Sequence, residues 1–166
     1  MTPLEEAAAS VVKHALASNL TLITAESCTA GALASLIAQV PDAGKVLHGG
    51  FVVYTKTNKT AALGVPAHLL ATKTAVSKEV AEAMAAGALQ RSPADIAISI
   101  TGVAGPEPDE DGNEVGLVFV SVAVRDKPPV TNRYAFGNCS FADIRDRSLA
   151  EALQLIDTSI GGRGVA

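Results

Sequence analysis

The chain reads Leu22-Ile23-Thr24-Ala25-Glu26-Ser27-Cys28-Thr29-Ala30-Gly31 at the point that decides its fold, where an apolar strand runs into polar residues and then into a small-residue helix. A strand followed at once by a helix is the repeating unit of α/β proteins. At this junction Ser27 would lie beside the free N–H groups of a helix's first turn, which suit an anion or an oxyanion. Ser27 is therefore a candidate nucleophile, but serine is also a favoured helix N-cap. These residues alone leave both interpretations open.

The hydrophobic periodicity places the other elements around this junction. Helices are predicted over residues 2–18, 29–39, 58–63, 67–71, 78–89 and 142–156, and strands over residues 21–25, 45–54, 95–100, 116–124 and 130–136. Early alternation of strands and helices, followed by a late hairpin, predicts a single three-layer α/β/α domain with a mixed, mostly parallel sheet and a C-terminal antiparallel hairpin. The domain is predicted to cover residues 1–160, with residues 161–166 as a flexible tail.

Composition limits the function classes. The 166 residues are 48% hydrophobic and 18% charged, with a formal net charge of −4 and no run of Lys or Arg, which argues against a surface for duplex nucleic acid. The N-terminus lacks the pattern of a signal peptide, and no apolar run approaches the length of a membrane span. Cys28 and Cys139 lie far apart and lack metal-type spacing, which favours reduced thiols. We expect a cytoplasmic protein that binds neither nucleic acid nor a membrane.

Two further motifs follow the first in the chain. They are Gly49-Gly50-Phe51-Val52-Val53-Tyr54-Thr55-Lys56-Thr57-Asn58-Lys59 and Ser99-Ile100-Thr101-Gly102-Val103-Ala104-Gly105-Pro106. The glycine pair in the first of these indicates a bulge or a close approach of another backbone or ligand. In their order the three motifs resemble the CinA C-terminal domain family, which includes stand-alone nicotinamide mononucleotide deamidases. Larger members of that family carry an additional N-terminal domain, which the length of this chain predicts to be absent here.

A serine nucleophile needs a base beside it. None of the three histidines has an acidic partner at a suggestive spacing, so a lysine of lowered pKa is the remaining common solution. Both Lys56 and Lys59 are candidates from the pattern, since on a regular strand Lys56 would share a face with Tyr54 while Lys59 would belong to the next turn or helix. The resemblance implies that Lys59 is the base, that Tyr54 is a supporting hydroxyl and that Lys56 contacts solvent or phosphate.

Cys28 is a rival nucleophile. A thiol at a helix N-terminus would have a lowered pKa and would react readily. A small buried packing residue is an equally good interpretation of the same position.

The third motif ends an apolar strand with two glycines. Ligands of open α/β sheets bind beyond the carboxyl ends of the strands, so this loop and the Ser27 turn should face one crevice. Glycines at positions 102 and 105 would let backbone N–H groups approach a phosphate or ribose.

The resemblance implies an amidohydrolase that converts nicotinamide mononucleotide to nicotinic acid mononucleotide and ammonia in pyridine nucleotide salvage. Ser27 would attack the carboxamide, Lys59 would accept its proton, and first-turn amides near Cys28 and Thr29 would hold the oxyanion. The substrate-binding residues it implies are Cys28, Thr29, Gly31, Thr101, Gly102, Gly105 and Arg145. No metal and no organic cofactor are implied, the partner is a small-molecule nucleotide substrate, and we expect a homo-oligomer.

Several positions depart from the family pattern. Ala30 replaces a glycine, Gly44 replaces a small hydroxyl residue, and the acidic stretch Glu107-Pro108-Asp109-Glu110-Asp111 replaces a Gly-rich one. The spacing of that stretch does not fit a calcium loop, so a solvated turn is predicted. These departures support a competing hypothesis, in which the chain is a non-catalytic nucleotide-binding or regulatory module of the same fold.

Overall fold

The computed structural model describes residues 1–162 and contains one five-stranded sheet. Its strands are β1 (Leu22–Glu26), β2 (Leu47–Val52), β3 (Ile96–Gly102), β4 (Leu117–Val124) and β5 (Val130–Ala135). Their order across the sheet is β2-β1-β3-β4-β5. Strand β1 is parallel to both β2 and β3, whereas β4 runs antiparallel to β3 and to β5. The mixed sheet and the terminal antiparallel hairpin are confirmed.

Within residues 1–162, six α-helices cover the two faces of the sheet. They are α1 (Pro3–Ala17), α2 (Ala32–Ala38), α3 (Lys56–Leu63), α4 (Ala67–Lys73), α5 (Lys78–Gln90) and α6 (Phe141–Gly161), with a 3-10 turn at Ala43–Lys45. Helices α1, α2 and α6 pack on one face, and α3, α4 and α5 pack on the other. The predicted three-layer α/β/α domain is therefore confirmed.

The two central strands are buried on both faces. In β3, Ile96, Ile98 and Ile100 join the core beneath α1, α2 and α6, while Ala97 joins the core beneath α5. Burying an aliphatic side chain of this size contributes about 1.5–3 kcal/mol to stability. The continuous apolar sequence of β3 follows from this double coverage, since a strand covered by helices on both sides has no solvent face.

Two helix boundaries differ from the prediction by three residues or more. Helix α2 begins at Ala32, not at residue 29, because Ala30 and Gly31 form a turn with positive φ angles of 50° and 92°. Helix α6 continues to Gly161, five residues beyond the predicted end at 156. Residues 163–166 of the predicted tail lie outside the described residues. The bulge predicted at the glycine pair is present, because the β1–β2 register shifts where Leu22 pairs with Leu47 and Ile23 pairs with Gly49.

Helices α3 and α5 touch backbone to backbone. A Cβ atom built on Gly87 of α5 would overlap the carbonyl oxygen of Leu63 at the end of α3. The absence of a side chain at Gly87 therefore lets α3 lie closer to α5 than any other residue type would allow. Helix α3 carries Lys59, so this contact helps to fix the height of that lysine above the sheet.

Candidate active site

The three parallel strands end at one edge of the sheet, and an open cavity of about 690 Å³ lies beyond them. Ser27 and Cys28 reach it from the end of β1, and residues 54–57 together with Lys59 reach it from the segment after β2. The end of β3 and the segment after it contribute residues 101–105, 107 and 109–111, and Ala75 and Val76 complete the lining. The crevice predicted from the first and third motifs is therefore present, and the second motif lines it too.

Ser27 and Lys59 meet at the floor of this cavity. The Nζ atom of Lys59 donates a hydrogen bond to the Oγ atom of Ser27 at 2.8 Å. Both residues are buried, with 6% of Ser27 and 1% of Lys59 exposed. The Nζ atom also donates to the carbonyl oxygen of Val53 at 3.0 Å and to that of Tyr54 at 3.4 Å. The lysine is thus aimed at the serine by a fixed set of acceptors.

Burial changes the proton affinity of this lysine. Loss of solvent, with a smaller contribution from the nearby charge of Lys56, lowers the pKa of Lys59 to about 8, against 10.5 for a free lysine. Its acceptors are neutral, and no carboxylate within residues 1–162 forms an ion pair with it. A lysine of this kind releases its proton near neutral pH, as a general base must.

Local sequence explains why Lys59 points inward. Thr55 caps α3 by accepting a hydrogen bond from the N–H group of Asn58 at 3.1 Å. The Asn58 side chain in turn donates to the carbonyl oxygen of Val52 at 3.1 Å, which anchors the helix to the end of β2. With the helix starting at Lys56, residues 56 and 59 are three positions apart and lie on the same side of it, so both lysines line the cavity.

Glu26 changes the expected chemistry of the Ser27 turn. Its buried carboxylate accepts hydrogen bonds from the backbone N–H groups of Gly31, Leu33 and Ala34 at 2.9–3.1 Å. It also accepts from the hydroxyl of Thr29 at 2.7 Å. The first turn of α2 is therefore already occupied by an anion from the chain itself. The N–H groups of Gly31, Leu33 and Ala34 are therefore not free for a substrate. The N–H groups of Cys28 and Thr29 are not among these donors, so their predicted place at the oxyanion stays a prediction.

Three predicted substrate contacts lie away from the cavity. Thr29 and Gly31 donate to Glu26 and do not line the cavity. Arg145 lies on α6 in a separate groove bordered by α1 and α2, and its guanidinium forms an ion pair with Asp146 at 2.7 Å. None of the three lines the cavity of a single chain, and the substrate-binding role implied for them stays a prediction.

The other predicted contacts do border the cavity. Cys28, Thr101, Gly102 and Gly105 all line it. The hydroxyl of Thr101 donates to the carbonyl oxygen of Ala75 at 2.7 Å, so it holds two walls of the cavity together.

Tyr54 contacts Lys59 through its backbone, whereas the resemblance implies a contact through its hydroxyl. Its side chain is 62% exposed at the cavity mouth, and its backbone carbonyl, not its hydroxyl, contacts Lys59. The supporting role at the lysine therefore belongs to the backbone of Tyr54.

The thiol of Cys28 lies beside the pair but is not activated. Burial raises its pKa to about 12, and the smaller lowering effects of Lys59 and of the nearby backbone N–H groups do not compensate. The predicted lowering at a helix N-terminus does not occur, because Cys28 lies before the helix and Glu26 occupies the helix end. At neutral pH this residue is a protonated thiol and a poor nucleophile.

The acidic stretch is the exposed turn that the sequence predicts, and its residues 107 and 109–111 also form a wall of the cavity. Lys56 forms ion pairs with Asp111 at 2.8 Å and with Glu110 at 3.1 Å. The hydrogen bond that Lys56 donates to Asp111 raises the pKa of Lys56, in contrast to the lowered pKa of Lys59. The sequence signal that could have revealed this wall is the concentration of carboxylates directly after a cavity-forming strand.

The other titratable side chains of residues 1–162 form no metal site, and the histidines lie outside the cavity. Within residues 1–162 no cluster of three or more His, Cys, Asp or Glu side chains is arranged to hold a metal ion. None of the histidines lines the cavity, and His14 pairs with Asp157 on the opposite side of the sheet. No helix in the described part of the chain has the length and apolar character needed to cross a membrane.

Known proteins are similar to this chain in sequence and in fold. The model of the CinA C-terminal domain matches residues 4–160. A CinA-like protein of Mycolicibacterium gilvum is 45% identical over 151 residues, which are 90% of this chain and 35% of that protein. A CinA-like protein of Mycobacterium tuberculosis is 42% identical over 142 residues, or 85% of this chain and 33% of that protein. The chain therefore spans about a third of the length of these curated relatives.

Solved structures match over nearly the whole chain. A competence/damage inducible protein of Agrobacterium tumefaciens superposes with a TM-score of 0.92 at 32% identity, covering 97% of each chain. A competence-damaged protein superfamily member of Escherichia coli superposes with a TM-score of 0.88 at 35% identity, covering 93% of this chain and 90% of that one.

Proposed function

Because the chain belongs to the CinA C-terminal domain family, and because its cavity holds a buried Ser-Lys pair, we propose that it is an amidohydrolase. Its substrate is nicotinamide mononucleotide, which it converts to nicotinic acid mononucleotide and ammonia in pyridine nucleotide salvage. The observation that carries the proposal is the 2.8 Å contact between Lys59 Nζ and Ser27 Oγ, made where Lys59 is 1% exposed. The cavity volume of about 690 Å³ is in the range of small-molecule sites.

The chemistry proceeds in two halves. Neutral Lys59 accepts the proton of the Ser27 hydroxyl as Oγ attacks the carboxamide carbon, and the carbonyl oxygen becomes an oxyanion. Lys59 then donates that proton to the amide nitrogen, the C–N bond breaks, and ammonia leaves. Water attacks the resulting ester with Lys59 again accepting a proton, which releases the carboxylic acid and restores Ser27. No metal or organic cofactor takes part in these steps.

The oxyanion needs N–H donors other than those of α2, which Glu26 occupies. Cys28, Ala104 and Gly105 line the cavity, and their backbone N–H groups donate to no carbonyl oxygen within residues 1–162. We assign the oxyanion site to this group of donors. The segment after β3 thus serves both as a wall of the cavity and as a source of fixed dipoles.

Ammonia release tests the proposal directly. Purified protein is mixed with nicotinamide mononucleotide, and ammonia and nicotinic acid mononucleotide are quantified together in a coupled assay and by chromatography. Equal amounts of both products support the proposal, and the Ser27→Ala variant is the matched control. Binding of the nucleotide without release of either product would favour the competing hypothesis of a non-catalytic nucleotide-binding module.

A further inference from the structure

Lys56 is the second lysine of the cavity, and its charge is already matched by the chain itself. Asp111 and Glu110, which also line the cavity, contact its Nζ atom at 2.8 and 3.1 Å. Among the described residues that line the cavity, Lys56 and Lys59 are the cationic side chains, whereas Glu107, Asp109, Glu110 and Asp111 are acidic. An anionic group that approaches Lys56 therefore meets two carboxylates in the place it would occupy.

Asp111 is held in this position by its own turn. Asp109 accepts hydrogen bonds from the backbone N–H groups of Asp111 at 3.0 Å and of Asn113 at 2.8 Å, which shapes the turn. The Asn113 side chain then donates to the hydroxyl of Thr74 at 3.1 Å. This hydrogen bond joins the acidic turn to the segment before α5, whose residues Ala75 and Val76 also line the cavity.

The two carboxylates are not equivalent. The side chain of Asp111 is 22% exposed, and its second contact is the N–H group of Ala75 at 3.4 Å. The side chain of Glu110 is 72% exposed, so solvent screens its contribution to the pair with Lys56. Asp111 is therefore the group whose charge acts most strongly on Lys56.

We propose that Asp111 determines the specificity of this site by competing for Lys56 with the anionic group of the substrate. Its carboxylate lowers the affinity of the cavity for a phosphate-bearing amide relative to the same amide without phosphate. The choice of amide rests on the proposed function, whereas the competition for Lys56 does not. The physical basis is that like charges brought close to one cation share its attraction and repel each other.

The test removes the charge and keeps the shape. In Asp111→Asn the amide oxygen still accepts from Lys56 and Ala75, so the turn should stay in place. Calorimetric titrations in a Ser27→Ala background, where turnover cannot interfere, compare nicotinamide mononucleotide with nicotinamide riboside at low and high salt. We expect the dissociation constant of the mononucleotide to fall about three- to tenfold at low salt, with the gain reduced at high salt. The riboside constant should not change.

Two matched variants isolate the cause. Asp126→Asn removes the same charge from an exposed turn outside the cavity, and Asn tolerates its positive φ of 61°. It should leave both dissociation constants unchanged. In a Lys56→Met background the effect of Asp111→Asn should disappear, because the lysine for which the two anions compete is gone.

Inorganic phosphate, titrated into the same variants, gives a readout that needs no amide. The proposal is overturned if Asp111→Asn strengthens neither phosphate nor mononucleotide binding. It is also overturned if the mononucleotide and the riboside gain equally, or if Asp126→Asn has the same effect. A wild-type protein that releases no ammonia yet shows the expected binding differences would reject the amidohydrolase and retain the role of Asp111.

Discussion

Lys59 donates a hydrogen bond to Ser27 from a position 32 residues further along the chain, and it does so with both side chains withdrawn from solvent. The lysine donates to neutral acceptors, and no carboxylate of the described residues pairs with it. Because burial removes the solvent that would stabilise its charge, Lys59 holds its proton less tightly than a free lysine does. Two consequences can be measured separately. The pair should be reactive when the lysine is neutral, and the charged lysine should cost the fold stability.

Replacing the serine should remove the chemistry and leave the cavity. We expect Ser27→Ala to lower kcat for nicotinamide mononucleotide by at least about 1,000-fold while binding changes little, since only the attacking atom is lost. Single-turnover assays and calorimetric titration of the same preparation measure both quantities. Turnover near the wild-type value would exclude a serine nucleophile.

The rate should depend on pH through the lysine. Burial lowers the pKa of Lys59 to about 8, and the base must be neutral, so protonation inactivates it as the pH falls through that value. We expect kcat/KM to level off above about pH 8 and to fall about tenfold per pH unit well below it. A profile that is flat between pH 6 and 9 would contradict this assignment.

The two lysines of α3 should behave differently. Lys59→Ala should abolish the chemical step, whereas Lys56→Ala should change KM more than kcat, because Lys56 lies at the rim in an ion pair. Single-turnover rates at saturating substrate, measured across pH, separate the two. A larger loss for Lys56→Ala would mean that the base has been assigned to the wrong lysine.

Lys59 should also reduce the stability of the protein. Its folded-state pKa of about 8 lies below the 10.5 of a free lysine, so between these pH values the unfolded chain binds a proton that the folded chain does not. The free energy of unfolding of the wild-type protein therefore rises with pH between about 8 and 10.5, because the cost of burying a charged lysine disappears there. We expect Lys59→Met to raise the free energy of unfolding at pH 7 by about 1–2 kcal/mol, after allowing for the carbonyl groups it leaves unpaired.

Urea unfolding of both proteins at several pH values measures this difference. The advantage of Lys59→Met should shrink as the pH rises from 8 toward 10.5, where the wild-type penalty disappears. An advantage that does not vary with pH would point to packing and not to charge.

Glu26 should be important for stability. Glu26→Gln places an amide N–H₂ group among four donors, so at least one of the hydrogen bonds to Gly31, Leu33, Ala34 or Thr29 is lost. We expect a loss of about 2–3 kcal/mol in the free energy of unfolding, measured in urea. The matched control is Glu5→Gln, which removes the same charge from the exposed capping box of α1 and should cost less than about 1 kcal/mol. Equal losses would mean that burial of Glu26 adds nothing.

Cys28 should be slow to react in spite of its position. Its raised pKa, about 12, leaves almost no thiolate at neutral pH, so a disulfide reagent should label Cys139 first. Cys28→Ser should keep activity within about threefold of wild type. If Cys28 were labelled faster than Cys139 and activity were lost in step, the thiol would have to be considered as the nucleophile.

The fold was largely accessible from the sequence because its elements follow regular apolar periods. Strand β3 has an unbroken apolar run that fits burial on both faces, and the Pro-Pro turn before β5 sets a hairpin. The start of α2 was predicted too early. A glutamate at the end of a strand carries no local sign that its side chain will turn back and cap the next helix, as Glu26 does.

The site was accessible in part. Ser27 and the loop after β3 follow from motifs at the ends of parallel strands, which a sheet must bring together. The pattern left both Lys56 and Lys59 open as the base, and the family resemblance selected Lys59. Arg145 lies in a separate groove of the chain, and its position in the last helix does not tell which face of the sheet that helix covers. The ion pair of Lys56 with Asp111 joins residues 55 positions apart and depends on the path of a loop, which local sequence does not determine.

The contact between Gly87 and Leu63 means that the position of Lys59 is set partly from behind, by a helix with no described residue in the cavity. A methyl group added at position 87 would collide with the carbonyl oxygen of Leu63 and push on the last turn of α3, one helical turn from Lys59. A substitution at this buried glycine would therefore disturb the packing of α3 on α5 and the Ser27–Lys59 hydrogen bond together.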